Sequence, residues 1–198
     1  GIDRTTPAGI RDYAIFLLIA TYGLRGCDVV ALTLDDVAWR ARRLRIQQRK
    51  TGGLLWLPLT DDVATALLEY LRRGRPHLGV RQFRRGFQSN HPDFREIFLR
   101  CITPAGVLKA TAIAEAFQKW SRRSGLNIAS QGVHCLRHSY ALQLLRSGLP
   151  LKTIGDLLGH RTFESTCVYL RLATDDSSCN PRLACYARAC RKVQWYVS

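Results

Sequence analysis

The sequence predicts an α+β domain that is mainly helical, with one small antiparallel β-sheet near its front. Three observations lead there. Apolar residues recur at helical spacing along most of the chain. Between Val37 and Leu59 the period changes to short strand-like runs. No internal repeat is visible, which sets aside solenoids and propellers.

Taken in order, Thr6-Pro7 reads as an N-cap followed by a helix-starting proline. The helix it opens runs through Ile10, Tyr13, Ala14, Leu17 and Leu18 to about Tyr22, and Gly23 ends it. A second short helix is expected from Cys27 to Leu32. Leu44-Arg45-Ile46 and Leu55-Trp56-Leu57, separated by Lys50-Thr51-Gly52-Gly53, read as a β-hairpin. Thr60-Asp61-Asp62 caps the next helix, which carries Val63, Leu67, Leu68 and Leu71. Gly74 to Gly86, with Arg75, Arg81, Arg84 and Arg85, reads as a basic connecting loop. Further helices are expected over Thr111–Arg123, His134–Ser147, Leu151–Leu158 and Phe163–Leu170. After about Asp176 the character changes: Cys179, Cys185 and Cys190 sit among Arg182, Arg188, Arg191 and Lys192. The domain is therefore placed at 1–175 and a basic Cys-containing tail at 176–198.

The apolar fraction of 46% suits a globular protein, but 30 Lys and Arg against 15 Asp and Glu leave a net charge of +15. That excess favours a polyanionic partner, because each phosphate neutralised by Lys or Arg releases condensed counterions. An anionic membrane surface or a ribosomal role fits the number too, so charge alone does not choose. The longest apolar stretch, Tyr13 to Leu24, is too short to span a bilayer. Seven scattered cysteines with no C-x-x-C pair argue against a disulfide framework or a zinc site and suit a reducing cytoplasm. The chain contains no methionine, so it is expected to be a fragment of a longer protein.

Each residue that could carry chemistry has a plainer reading when taken singly. Arg25 follows Gly23-Leu24 in an interhelical turn, where an arginine is commonly solvated. Lys50 stands at a hairpin tip, where lysine serves solubility. His134 and Arg137 lie one helical turn apart, a spacing often structural. His160 follows Leu157-Leu158-Gly159 at a helix end, where histidine meets terminal carbonyls. Tyr169, in Cys167-Val168-Tyr169-Leu170, reads as a half-buried core tyrosine.

The set reads otherwise. In order it is Gly23-Leu24-Arg25, Lys50 in a hairpin, His134-Cys135-Leu136-Arg137-His138, Leu158-Gly159-His160 and then Tyr169. This resembles the tyrosine recombinase (integrase) family, Xer-type and phage integrase catalytic domains included, over about residues 7 to 172. H-x-x-R-H and L-L-G-H, with the tyrosine nine residues on, are its most specific parts. The resemblance implies the catalytic-domain fold of that family and a site made of Arg25, Lys50, His134, Arg137, His160 and Tyr169. Arg25 and Arg137 would clamp the nonbridging oxygens of a phosphodiester with paired, permanently charged donors. His160 would add a third donor, and His134 would assist proton transfer or hold the phosphate. Lys50 would protonate the departing 5′ oxygen. Tyr169 would be the nucleophile, giving a 3′-phosphotyrosyl link that stores the bond energy without metal, ATP or any other cofactor. The phenol, with an ordinary pKa of about 10, would need the cationic cluster to favour its oxyanion.

Weaker expectations accompany these. Asp28 stands where the family carries an acidic residue, either orienting the site or interacting with a helix N-terminus. His138 is either a neighbour of the site or helix filling. Arg40, Arg42, Arg43, Arg45 and Arg49 crowd the hairpin; Arg42, Arg43, Arg45 and Arg49 are candidates for DNA phosphate contacts, with a solvated sheet edge as the alternative. The expected partner is double-stranded DNA, with a tetramer on DNA for the full-length protein, a monomer for the isolated domain and no membrane. The resemblance implies an N-terminal DNA-clamping domain that is expected to lie outside these 198 residues, and the Cys-rich tail resembles nothing in the family. Site-specific recombination is the first reading. A type IB topoisomerase shares the chemistry and is the second; a catalytically inactive DNA-binding module is the third.

Overall fold

The computed structural model describes residues 1–76, 94–102, 106–125, 132–160, 162, 164–167 and 169. In chain order they form α1 (Pro7–Tyr22), α2 (Gly26–Val30), β1 (Val37–Ala38), β2 (Arg43–Gln47), β3 (Leu54–Pro58), α3 (Asp61–Glu69), α4 (Ala110–Arg123), α5 (His134–Arg146) and α6 (Leu151–Leu158). Residues 164–167 and 169 are helical as well. Mainly helical with a small antiparallel sheet, the architecture is the one the sequence predicts. The expected tail at 176–198 and residues 77–86 of the expected connector lie outside the described residues.

α1 is the central helix. Thr6 caps it by accepting from the Gly9 amide at 3.1 Å, Pro7 fills its first turn, and Gly23 closes it in the left-handed region at φ 63°. It packs against α2, α3, α4 and α5, so almost every side is covered. Two charged residues are buried with it and neutralise each other. Arg11 Nη2 donates to Asp12 Oδ1 at 2.7 Å, and Trp120 Nε1 of α4 donates to Asp12 Oδ2 at 2.9 Å. Arg11 also reaches the Leu99 carbonyl at 3.3 Å. A buried charge is tolerated only when paired and hydrogen-bonded, and here the pairing ties α1 to α4 and to residues 94–102.

The sheet has the order β1-β2-β3, antiparallel throughout. Arg45 faces Trp56 and Leu44 faces Leu57 across the β2–β3 hairpin. Leu44, Ile46 and Leu57 are buried beneath it, whereas Leu54 and Trp56 face outward, as a period of two requires. β1 was not separable in the sequence. It joins β2 through a turn in which Arg42 takes a left-handed φ of 52° and pairs with Asp61.

α3 widens into a π-helical turn at Tyr70–Gly74. Beyond it, Arg75 Nη2 donates to the Phe94 carbonyl at 2.6 Å, and the Tyr70 hydroxyl accepts from the Leu99 amide at 3.1 Å. Burial pushes the Tyr70 phenol up to about 12. Residues 94–102 and 106–108, for which the sequence offers no element, carry single bridges of Glu96 to Thr33 and Leu99 to Val107.

The apolar residues form two clusters. The larger surrounds α1 and takes in the sheet, α3 and α4. The smaller comprises Ala141, Leu142, Ile154, Leu158 and Tyr169, packed by Tyr140, Leu144, Leu145 and Leu149. No helix among the described residues is long and apolar enough to cross a membrane.

Candidate active site

Four helix ends and one hairpin tip meet at a single place. α1 and α6 each end on a left-handed glycine, Gly23 at φ 63° and Gly159 at φ 61°. Such caps leave C-terminal carbonyls in need of donors. Two arginines supply them. Arg25, at the N-cap position of α2, donates through Nη2 to the Gly159 carbonyl at 2.6 Å. Arg137, one turn into α5, donates through Nη1 to the Gly23 carbonyl at 2.5 Å and through Nη2 to the Leu158 carbonyl. The guanidiniums are thus held crosswise between the ends of α1 and α6, a task that needs a planar fork of donors. Arg25 Nη1 is buried with no hydrogen-bond partner among the described residues.

A buried cation, Arg137, beside the half-buried Arg25 is electrostatically costly. Burial, followed by the charge of Arg25, pulls Arg137 down to about 10, which still leaves it charged at neutral pH. Buried Asp28 offsets part of this repulsion. Its carboxylate also accepts the Arg49 amide at 2.9 Å, so it ties α2 to the hairpin one residue before Lys50. Asp28 also stands in the first turn of α2, so its placement fits both expected roles, an interaction with a helix N-terminus and orientation of the site.

The imidazoles line the same place. His160, following Gly159, is pushed down to about 4 by burial and then by Arg137 and Arg25, with smaller contributions from His138 and Lys50. Its Nδ1 meets Thr166 Oγ1 at 2.9 Å, which fixes the ring's orientation. His134 is the first residue of α5 and is exposed; desolvation, then the charges of Arg137 and Arg25, lowers it. His138 is lowered by burial, then by His134 and Arg137. All three are therefore neutral imidazoles at neutral pH.

Tyr169 lies between them, only 2% exposed. The His160 ring stacks on it at 5.9 Å with 16° between planes, and the His138 ring is tilted against it at 5.6 Å. Burial raises the phenol, while the charge and hydrogen bond of Arg137 and the charge of Arg25 pull it down. Burial wins, so the phenol is protonated at rest. The cluster acts in the direction expected from the sequence but is outweighed by burial.

The structure thus gathers Arg25, His134, Arg137, His160 and Tyr169, and the charge of Lys50, on its exposed hairpin tip, reaches His160. The hairpin arginines divide. Arg42 is paired with Asp61, and Arg45 with Asp36 at 2.7 Å; the side chains of Arg40, Arg43 and Arg49 are exposed. Sequence reasoning missed Thr166 and Gln48. Thr166 stands three residues before Tyr169, on the same helix face, which is the signal that could have found it. Among the described residues, no group of three or more His, Cys, Asp or Glu is arranged to hold a metal, and Cys27, Cys101, Cys135 and Cys167 form no disulfide.

Comparison with known proteins gives a consistent answer. The phage integrase family matches residues 2–175. The y4gC protein of Sinorhizobium fredii (strain NBRC 101917 / NGR234), named for the integrase/recombinase class, is 40% identical over 172 residues, covering 86% of this chain and 81% of its own. The tyrosine recombinase XerD of Lacticaseibacillus casei is 30% identical over 177 residues, covering 86% of this chain but 54% of its own. Against a second Sinorhizobium relative, y4rA, the chain spans 39% of the length. Among solved structures, XerA recombinase superposes with a TM-score of 0.64 at 19% identity, over 96% of this chain and 58% of that one. XerH recombinase, in a post-cleavage complex with a difH substrate, gives 0.66 at 17% identity, over 88% and 46%. The chain belongs to the phage integrase family, the tyrosine recombinases, and carries that family's catalytic domain.

Proposed function

We propose that this domain cleaves and rejoins DNA strands in site-specific recombination, with Tyr169 as nucleophile. One observation supports this above the rest. Two neighbouring, permanently charged guanidiniums converge beside a buried tyrosine, and one of them keeps a buried N–H without a partner among the described residues. Buried donors are almost always satisfied, so an orphan N–H in a cationic cleft points to an anionic ligand.

In the proposed step the Tyr169 oxygen attacks phosphorus and its proton passes to the neutral imidazole of His134. The bond from phosphorus to the 5′ oxygen breaks, and that oxygen leaves with the electron pair and takes a proton from Lys50. Arg25, Arg137 and His160 hold the nonbridging oxygens as charge develops there. The product is a 3′-phosphotyrosyl link and a free 5′ hydroxyl, and reversal by another strand's hydroxyl completes the exchange. Entry of a phosphate adds negative charge to that of Asp28, while the guanidiniums lower the phenol as it deprotonates. Exposed Arg43 and Arg49 contact flanking phosphates. Assembly of four protomers on two duplexes is placed in a full-length form of this protein; the chain spans 54% of the length of the XerD it matches.

The test is a pool of nicked suicide duplexes randomised around the nick, from which covalent protein–DNA adducts are isolated and sequenced. Tyr169→Phe is expected to abolish the adduct while leaving duplex affinity within about twofold. An adduct that persists in Tyr169→Phe defeats the nucleophile assignment. Relaxation of supercoiled plasmids of any sequence would indicate topoisomerase action instead.

A further inference from the structure

The geometry points to Gln48 as a positioning residue that sets where the Lys50 tip stands relative to the rest of the site. This inference rests on the proposed reaction, in which Lys50 is the general acid. Gln48 is buried, 8% exposed, at the end of the strand that leads into an otherwise exposed hairpin tip. Its backbone closes the loop: its N–H donates to the Gly53 carbonyl at 2.8 Å, and its carbonyl accepts from the Gly52 amide at 2.8 Å and the Thr51 amide at 3.3 Å.

Its side chain then works in two directions. Oε1 accepts from the Thr51 hydroxyl at 2.7 Å, immediately after Lys50. Nε2 donates to the Leu157 carbonyl at the end of α6, 109 residues away in sequence, at 3.5 Å. The same amide lies over Gly159, so close that a Cβ there would stand 2.3 Å from Oε1. Gly159 is the residue whose carbonyl holds Arg25 and whose successor is His160. One amide therefore spans the general acid's loop and the cap that orients two phosphate-binding groups. Asp28 holds the other side of Lys50 through the Arg49 amide, so the tip is fixed from both flanks. A solvated hairpin would need no buried amide at this position. A tip that must deliver a proton to one oxygen needs one, because general-acid catalysis depends on hydrogen-bond distance to the leaving atom.

The experiment separates this role from a merely structural one. Duplexes recovered from the suicide pool are prepared with the ordinary 5′ oxygen or with sulfur at that bridging position. A thiolate leaves without protonation, so sulfur relieves only defects in the general acid. Single-turnover cleavage is measured for the whole chain, for Gln48→Met, which keeps length and volume but loses both hydrogen bonds, for Thr51→Val and for Lys50→Ala. Gln48→Met is expected to cleave the oxygen duplex roughly 10- to 100-fold more slowly, within the ~10²–10⁴ that a general acid contributes. With sulfur it should come within about threefold of the unaltered chain. Thr51→Val should show a smaller defect with the same rescue. An equal defect on both duplexes, or none on either, overturns the positioning role while leaving the proposed reaction standing, provided Lys50→Ala is rescued by sulfur. Lys50→Ala without rescue overturns the general-acid assignment and this inference together.

Discussion

Arg137 does two things with one fork of donors. It satisfies the carbonyls that end α1 and α6, and it presents charge to the place where Tyr169 sits. A lysine can serve one of those carbonyls as a point donor but not both. Arg137→Lys should lower stability to urea by about 1–3 kcal/mol, the cost of one buried carbonyl left unpaired. It should slow cleavage by about 10²–10³, the usual cost of losing a donor to a developing oxyanion. The histidines give a second expectation at this scale. His160 falls from its ordinary 6.5 to about 4, and His134 and His138 shift in the same direction. Below pH 6.5 the unfolded chain takes up protons that the folded chain refuses, so stability present above that value should drain away as pH falls toward 4. Urea midpoints between pH 7.5 and 4.5 check this, and His160→Asn should flatten the decline. The identity of these residues was legible in the sequence only as an ordered set. Nothing local distinguishes Arg25 from a solvated arginine, because its meaning comes from a carbonyl 134 residues away.

Among the elements, those with a strong local signal were read correctly: α1 from its Thr-Pro start and glycine stop, the hairpin from its period of two, and α4 to α6 from apolar spacing. The parts that escaped have no period to read. β1 is two residues long, and residues 94–102 are tied back by a single bridge from Glu96 to Thr33, far away in the chain. Gln48 was invisible for the same reason, since its importance depends on the end of α6. The α6 cap yields a prediction of its own. Gly159 combines a left-handed φ with a close approach to Gln48, whereas Gly52 at φ 76° has open space around it. Gly52→Ala should cost about 1–2 kcal/mol, the backbone penalty alone. Gly159→Ala should cost more, at about 2–4 kcal/mol once overpacking is added, and should also slow cleavage through displacement of Gln48. Denaturation midpoints and single-turnover rates on the two variants separate the two contributions.

At the scale of the molecule, +15 of charge should make DNA affinity fall linearly on a logarithmic salt axis, with a slope of about 0.9 per phosphate contacted. The ion pairs decide which arginines contribute. Arg43→Ala and Arg49→Ala should each flatten the slope by about one unit, while Arg42→Ala, whose charge is taken by Asp61, should change it little. Fluorescence titrations at several salt concentrations measure this directly. The clustering of apolar residues has a different reach. Tyr169 is packed in the smaller of two cores, on α5 and α6, and the larger core around α1 does not include it. Separate packing units open at separate free energies. Tyr169, the proposed nucleophile, is therefore expected to undock from the His138 and His160 rings more readily than the scaffold bearing Arg25 and the sheet unfolds. Reactivity thus has an adjustment independent of the chemistry: the fit of a handful of aliphatic side chains, Leu142 and Ile154 among them, sets how often the tyrosine is home.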